Sequence, residues 1–381
     1  MTTLVVSDLH LGAQRGADVA RRPALRAPLL EALDGVEHLV LLGDVLELRD
    51  GPRDGALEAA RGFFEELGEA LGDRRVTIAP GNHDYPLIAP WLDARRERRE
   101  PLGLEQRVAP ADASPLAGAL SAWLGDTPLD LAYPGLWLRP DVYAIHGHYL
   151  DMHISVPSFE RIGARAVNRI VRGSTAALRS PDDYEAALSP IYALLDEVAQ
   201  VAPDRGTGGS GASERAWKLL MGDGRRRRPT VPQLAAWAAY PLAIAALNRA
   251  GLGPLGTSLS GTALRRAAVT AMGEVLDRLG VQADHVVFGH THRSGPWPPR
   301  DDPADWITPK GARLWNTGCW LYSAAFLTGA PNENPYWPGV CLRVGAEGAP
   351  EVGRLLGEHS HAELAPRRSQ PATSDPRLAT N

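Results

Sequence analysis

Apolar residues fall into two rhythms along this chain. Near the start, short unbroken runs appear in "TLVVSD" from Thr3, "HLVLLGD" from His38 and "RVTIAPG" from Arg75. Each ends in a polar or glycine turn, as a strand buried on both faces would. Between them, residues 24–34 and 56–71 place apolar side chains at helical spacing. "LWLRPDVYAIHGH", from Leu136, reads as a fourth strand region that ends the same way. Strands alternating with helices predict an α/β fold with its ligands at the strand ends.

The rhythm changes from 152 to about 280. "SPIYALLDEVAQV" predicts a helix with Ser189 as N-cap, Pro190 in its first turn, and Ile191, Leu194, Leu195 and Val198 on one buried face. "PSFERIGARAVNRIV" (157–171) and "GTALRRAAVTAMGEVLDRL" (261–279) are also amphipathic, and "RGTGGSGAS" (205–213) is a connector. Strands return in "HVVFGH", "ARLWNTGCW", "GVCLRVG" and "EVGRLL". The expected organisation is a core of 1–151 and 281–357, a helical insert or cap of 152–280, and a disordered polar tail of 358–381.

Composition narrows the function. A net charge of −5 gives no global attraction to nucleic acid or anionic lipid. Two cysteines, Cys319 and Cys341, cannot build a disulfide framework or a four-thiolate zinc site, and they suit a reducing, cytoplasmic setting. "MTTLVVSD" enters a strand directly, without a secretory leader pattern. The longest apolar stretch, "LAAWAAYPLAIAAL", contains a proline and is short for a membrane span.

The chemistry sits at the strand ends. Asp8 and His10 share one face of an extended segment, since side chains at i and i+2 point the same way. Alone, that pair fits an exposed loop as well as a metal site. Five segments repeat the theme in order, however: "SDLHLG", "LGDVLE", "PGNHDY", "IHGHYLD" and "FGHTHRSG". They hold six of the chain's 11 histidines, a concentration that random scatter does not produce. Mixed His, Asp and Asn donors suit manganese, iron or zinc better than calcium or magnesium.

This order of Asp-x-His, Gly-Asp, Gly-Asn-His-Asp, His and Gly-His-x-His resembles the calcineurin-like metallophosphoesterase superfamily over about residues 1–151 and 281–320. The resemblance implies a two-sheet αββα sandwich with a helical insertion. It implies that Asp8, His10 and His292 hold one divalent ion, that Asn82, His146 and His290 hold a second, and that Asp44 bridges them. His83 would be the general acid, with Asp84 orienting its imidazole. Two ions roughly 3.5–4 Å apart can activate one water as hydroxide and clamp phosphoryl oxygens. His148 and Arg293 are candidate substrate contacts. Glu47 fits either a supporting contact or a helix N-terminal acid, and Asp151 and His153 are candidate supports for the second ion.

Within the superfamily the pattern looks most like the group that includes UDP-diacylglucosamine pyrophosphatases. That group often carries Gly-Asn-Arg-Asp where this chain has His83, which favours ordinary phosphoesterase chemistry. The expected substrate is a small-molecule phosphomonoester, phosphodiester or pyrophosphate, with a lipid-linked one still open. Two rivals remain. A nuclease would need a basic groove, against which the net charge argues. A non-catalytic scaffold on this fold tends to lack a ligand or the acid, whereas here every position is filled.

Overall fold

The computed structural model describes residues 1–154, 178–201, 245–246, 248–249, 261–298, 300–324, 326–327 and 330–366. Ten strands are named: β1 (Thr3–Val6), β2 (His38–Leu41), β3 (Arg75–Ile78), β4 (Glu105–Val108), β5 (Leu129–Arg139), β6 (Val142–Ile145), β7 (His285–Phe288), β8 (Arg313–Asn316), β9 (Val340–Val344) and β10 (Glu351–Arg354). They form one hydrogen-bonded path, β10-β9-β1-β2-β3-β5-β6-β7-β8, with β4 attached to β5.

The path has two halves. In one, β1, β2 and β3 run parallel, and in the other β6, β7 and β8 do. The long strand β5 joins them, pairing with β3 through its first residues and with β6 through its last. The sheet curls at β5, and one face of each half closes on the other. Val5, Val40, Leu342 and Val344 of the first half share an apolar cluster with Val142, Ala144 and Val287 of the second. Opposite side chains of the same strands, Leu4, Val6, Leu39 and Leu41, pack outward. Phe63, Phe64 and Leu67 of the helix Arg53–Leu71 cover that outer side. Both faces are therefore buried, which explains the unbroken apolar runs. The expected α/β sandwich is present.

Three local expectations change. "LWLRPDVYAIHGH" is two antiparallel strands, the end of β5 and all of β6, because Pro140 and Asp141 make the turn between Arg139 and Val142. The insert helix runs over Pro181–Val201, so Ser189 and Pro190 lie inside it. Its start is set by Ser180, whose hydroxyl accepts from Asp183 N at 3.3 Å, by Pro181, and by acids at 182 and 183. Ser189 instead donates back to the Glu185 carbonyl at 2.6 Å. The buried face is also a different one: Leu194 and Val198 are 58% and 45% exposed, while Tyr184, Glu185, Leu188 and Tyr192 point inward. The helix begins at Pro181, nine residues before the expected Pro190.

The helix Gly261–Leu279 forms as its pattern predicts. The tail is ordered further than composition suggests. Ser360 and Glu363 make a capping box at the helix His361–Leu364, and Leu364 is buried. The segments 157–171 and 205–213 lie outside the described residues, as do the arginines at 225–228, most of "LAAWAAYPLAIAAL" and residues 367–381. Among the described residues, no helix is long and apolar enough to cross a membrane.

Candidate metal centre

Parallel strands put their C-terminal ends on one rim, and the five motifs meet there. Asp8 and His10 follow β1, Asp44 follows β2, Asn82 and His83 follow β3, His146 follows β6, and His290 and His292 follow β7. The backbone turns sharply at these points. Asp8, His10, Asp44, His290 and His292 all have positive φ, from 46° to 65°. Glycine is required where two segments nearly touch. A Cβ on Gly81 would lie 2.3 Å from Asp44 Oδ1, and one on Gly43 would lie 2.3 Å from the His146 ring.

Donor atoms of Asp8, His10 and His292 lie within 4.8 Å of one another, and so do those of Asp44, His146 and His290. His10, Asp44 and His83 make a third such group. Asp44 stands between the first two: Oδ2 is 3.8 Å from His10 Nε2 and 3.2 Å from His146 Nε2. Asn82 is buried, and neither end of its amide has a hydrogen-bond partner. The aspartates and histidines among these residues are brought together.

The tautomers follow from the outer contacts. His146 Nδ1 donates to the Leu42 carbonyl at 2.9 Å, which leaves Nε2 as the lone pair facing Asp44. His10 Nδ1 meets Glu47 Oε2 at 2.8 Å, and its Nε2 then faces His292 Nε2 at 3.0 Å. Two lone pairs that close, beside the buried carboxylates of Asp8 and Asp44, fit a divalent cation. Asp151 reaches His290 Nε2 at 3.1 Å, while His153 turns away to the Tyr184 hydroxyl at 2.7 Å. Asn316 shapes the 289–291 turn by donating to Gly289 O and Thr291 Oγ1.

Three candidates are placed otherwise than expected. Asp84 does not orient His83. Its carboxylate accepts from the backbone N–H groups of Gly81 at 2.6 Å and Val45 at 2.7 Å, with Asp44 and Leu46 at 3.3 and 3.4 Å. It ties the β2 and β3 loops together. Burial, joined by the Asp44 charge, pushes its carboxyl up to about 6. His83 Nδ1 instead contacts Glu47, at 2.9 Å from Oε1 and 2.8 Å from Oε2. Burial disfavours the His83 imidazolium, but Glu47 and Asp44 outweigh it and push the group up to about 10.

His148 is no surface contact either. It is fully buried, its Nε2 is 3.3 Å from the Tyr133 hydroxyl, and burial holds it well below the usual imidazole range. Arg293 is already neutralised. Its two terminal nitrogens grip Asp301 at 2.7 and 2.9 Å, and Arg265 of the helix Gly261–Leu279 shares the same carboxylate.

The model of the calcineurin-like phosphoesterase family matches residues 1–224, more than half of the chain. The molecule is thus a metal-dependent hydrolase of phosphoric esters. The chain belongs to the calcineurin-like phosphoesterase family, and the match singles out no subgroup within it. No curated protein matches the chain. Two similar solved structures are a cold-active protein-tyrosine phosphatase from a psychrophilic Shewanella species and a dimetal phosphatase from Danio rerio. The first shares 13% identity, with 93% of this chain and 78% of that one covered and a TM-score of 0.30. The second shares 12%, with 92% and 98% covered and a TM-score of 0.32. Likenesses this distant assign nothing to the chain.

Proposed function

We propose that this protein hydrolyses a small-molecule phosphomonoester, phosphodiester or pyrophosphate in the cytoplasm, using two divalent ions of the manganese, iron or zinc type. Asp8, His10 and His292 hold one ion, and Asn82, His146 and His290 hold the other. Asp44, between the two clusters, would serve both ions. The observation that carries this reading is the pair of three-donor clusters around Asp8 and around His146, with Asp44 Oδ2 between His10 and His146.

When bound, two such ions polarise a phosphoryl group and make water a stronger nucleophile near neutral pH. The protein's own residues do the rest. His83, with its backbone N–H anchored to Asp44 Oδ1 at 2.8 Å, holds a proton for the departing oxygen. Glu47 keeps that proton in place by fixing Nδ1, so that Nε2 is the nitrogen left to give it. Buried, mutually contacting donors keep the geometry before any substrate arrives.

The test is elemental analysis of the purified protein, followed by turnover of mono-, di- and pyrophosphate substrates with each metal. Two ions per chain and turnover are expected for the natural sequence. Asp44→Asn is expected to lose both ions and activity together. An Asp44→Asn protein that kept both ions and its rate would overturn the assignment.

A further inference from the structure

A carboxylate of the insert is buried where the chemistry of the centre does not use it. Glu185, on the helix Pro181–Val201, is 1% exposed. Its Oε1 accepts from the hydroxyls of Tyr133 and Tyr149, each at 2.7 Å. Its Oε2 accepts from Ser189 at 3.2 Å and from Tyr85 at 3.5 Å. The Arg96 guanidinium donates to the Ser189 hydroxyl at 3.4 Å rather than to the carboxylate. A carboxylate buried among phenols is costly to desolvate, so the arrangement calls for a reason.

The origin of the phenols supplies it. Tyr85 ends the segment that carries Asn82 and His83, and Tyr149 lies three residues after His146. Tyr133 belongs to β5 and touches His148, whose ring sits 5.7 Å from that of His146. The contact is reinforced by Tyr184 of the same helix, which stacks on Tyr149 at 4.6 Å with 8° between the planes. One insert side chain thus grips the two loops that hold Asn82 and His146. It touches neither the Asp8–His10 segment nor His292.

We infer that Glu185 is a positioning residue through which the insert sets the second ion site, by clasping Tyr85 and Tyr149 so that Asn82 and His146 face one centre. This rests on the ligand assignment proposed above. The insert is then part of what makes the site bind two ions rather than one.

Equilibrium dialysis of the metal-stripped full chain against manganese tests this, with steady-state rates alongside. The natural sequence is expected to bind two ions. Glu185→Ala should keep one tight site and bind the second ion about tenfold more weakly or worse, in the range found when partners of metal ligands are removed. Saturating manganese should then restore most of kcat. Glu185→Gln keeps an oxygen where both phenols donate, and it should stay close to the natural affinity. If Glu185→Ala does not fold, Tyr85→Phe with Tyr149→Phe removes only the hydroxyls and is read the same way. Unchanged affinity at both sites, or equal weakening of both, would overturn the inference. Fewer than two ions on the natural sequence would overturn the ligand assignment instead.

Discussion

Glu47 stands between two imidazoles: its carboxylate lies 2.8 Å from His10 Nδ1 and 2.8–2.9 Å from His83 Nδ1. The rings themselves are 4.7 Å apart, edge to face. One side chain therefore fixes a proposed metal ligand and the proposed acid together. Burial would raise its carboxyl, but the two histidines outweigh that and hold it far below the usual range.

Glu47→Ala should accordingly weaken both roles. Loss of a ligand's outer partner typically lowers metal affinity or activity by about 10–100-fold. The fall in kcat should be steepest for substrates with poor leaving groups, as for His83→Ala, which keeps its metals. Rates across a series of aryl phosphoesters, with metal content measured for each variant, check this. A Glu47→Ala profile parallel to the natural one would remove Glu47 from the acid's service.

Asp84 should register in stability more than in chemistry. Asp84→Ala leaves the N–H groups of Gly81 and Val45 without their partner, at about 1–3 kcal/mol for each buried donor. Asp84→Asn keeps one accepting oxygen and should cost less. Urea unfolding measures both. A large drop in rate with an unchanged midpoint would return Asp84 to a catalytic role.

Arg293 and Asp301 make a parallel case. Asp301 accepts from Arg265, Arg293, the Trp297 backbone and the Trp306 indole. Asp301→Asn leaves Arg293 facing a neutral partner, while Arg265 keeps its contact with Asp305, and breaking a buried pair of this kind costs on the order of 3–5 kcal/mol. Thermal unfolding should show that loss. Arg293→Gln should lower the melting temperature and leave KM unchanged, whereas a substrate contact would raise KM.

His38 sets an acid limit on the fold. It sits in β2 with Nε2 at 2.8 Å from Thr77 Oγ1, and Thr77 in turn donates to Asp130. Thr77 must therefore accept, so His38 Nε2 carries a hydrogen. Burial, helped by the Arg75 charge, lowers His38 to about 4 from 6.5. Below pH 6.5 the unfolded chain takes up a proton that the folded one refuses, so stability falls from pH 6.5 toward 4. His38→Gln should shrink the stability difference between pH 7.5 and 5 by on the order of 2 kcal/mol. Denaturation at the two pH values gives the number, and an equal acid loss in the variant would contradict it.

The centre was legible because its donors lie at strand ends, where apolar runs stop abruptly at Asp or His. Asn82, His146 and His290 were assigned from the order of the motifs and the family resemblance it carries. The partners of those donors were not legible. Asp84 adjoins His83 in the chain, yet neighbours in a turn point apart, and Glu47 reaches the imidazole from 36 residues away. His148 and Arg293 carry polar groups that suit a substrate, and only packing shows Tyr133 and Asp301 holding them. The insert helix was read from its second half because Ser189-Pro190 imitates a start. The stronger start, Ser180-Pro181, lay nine residues nearer the N-terminus than the run that drew attention.

The left-handed main chain at Asp8, His10, Asp44, His290 and His292 has a consequence for adaptation. Glycine would relax each of those corners, where an L side chain costs up to about 1–3 kcal/mol, and would delete a donor by doing so. Breeding this protein for heat tolerance alone would be drawn to those five positions and would return sturdier molecules that had gone silent. Hardening it without that loss means changing residues well away from the rim.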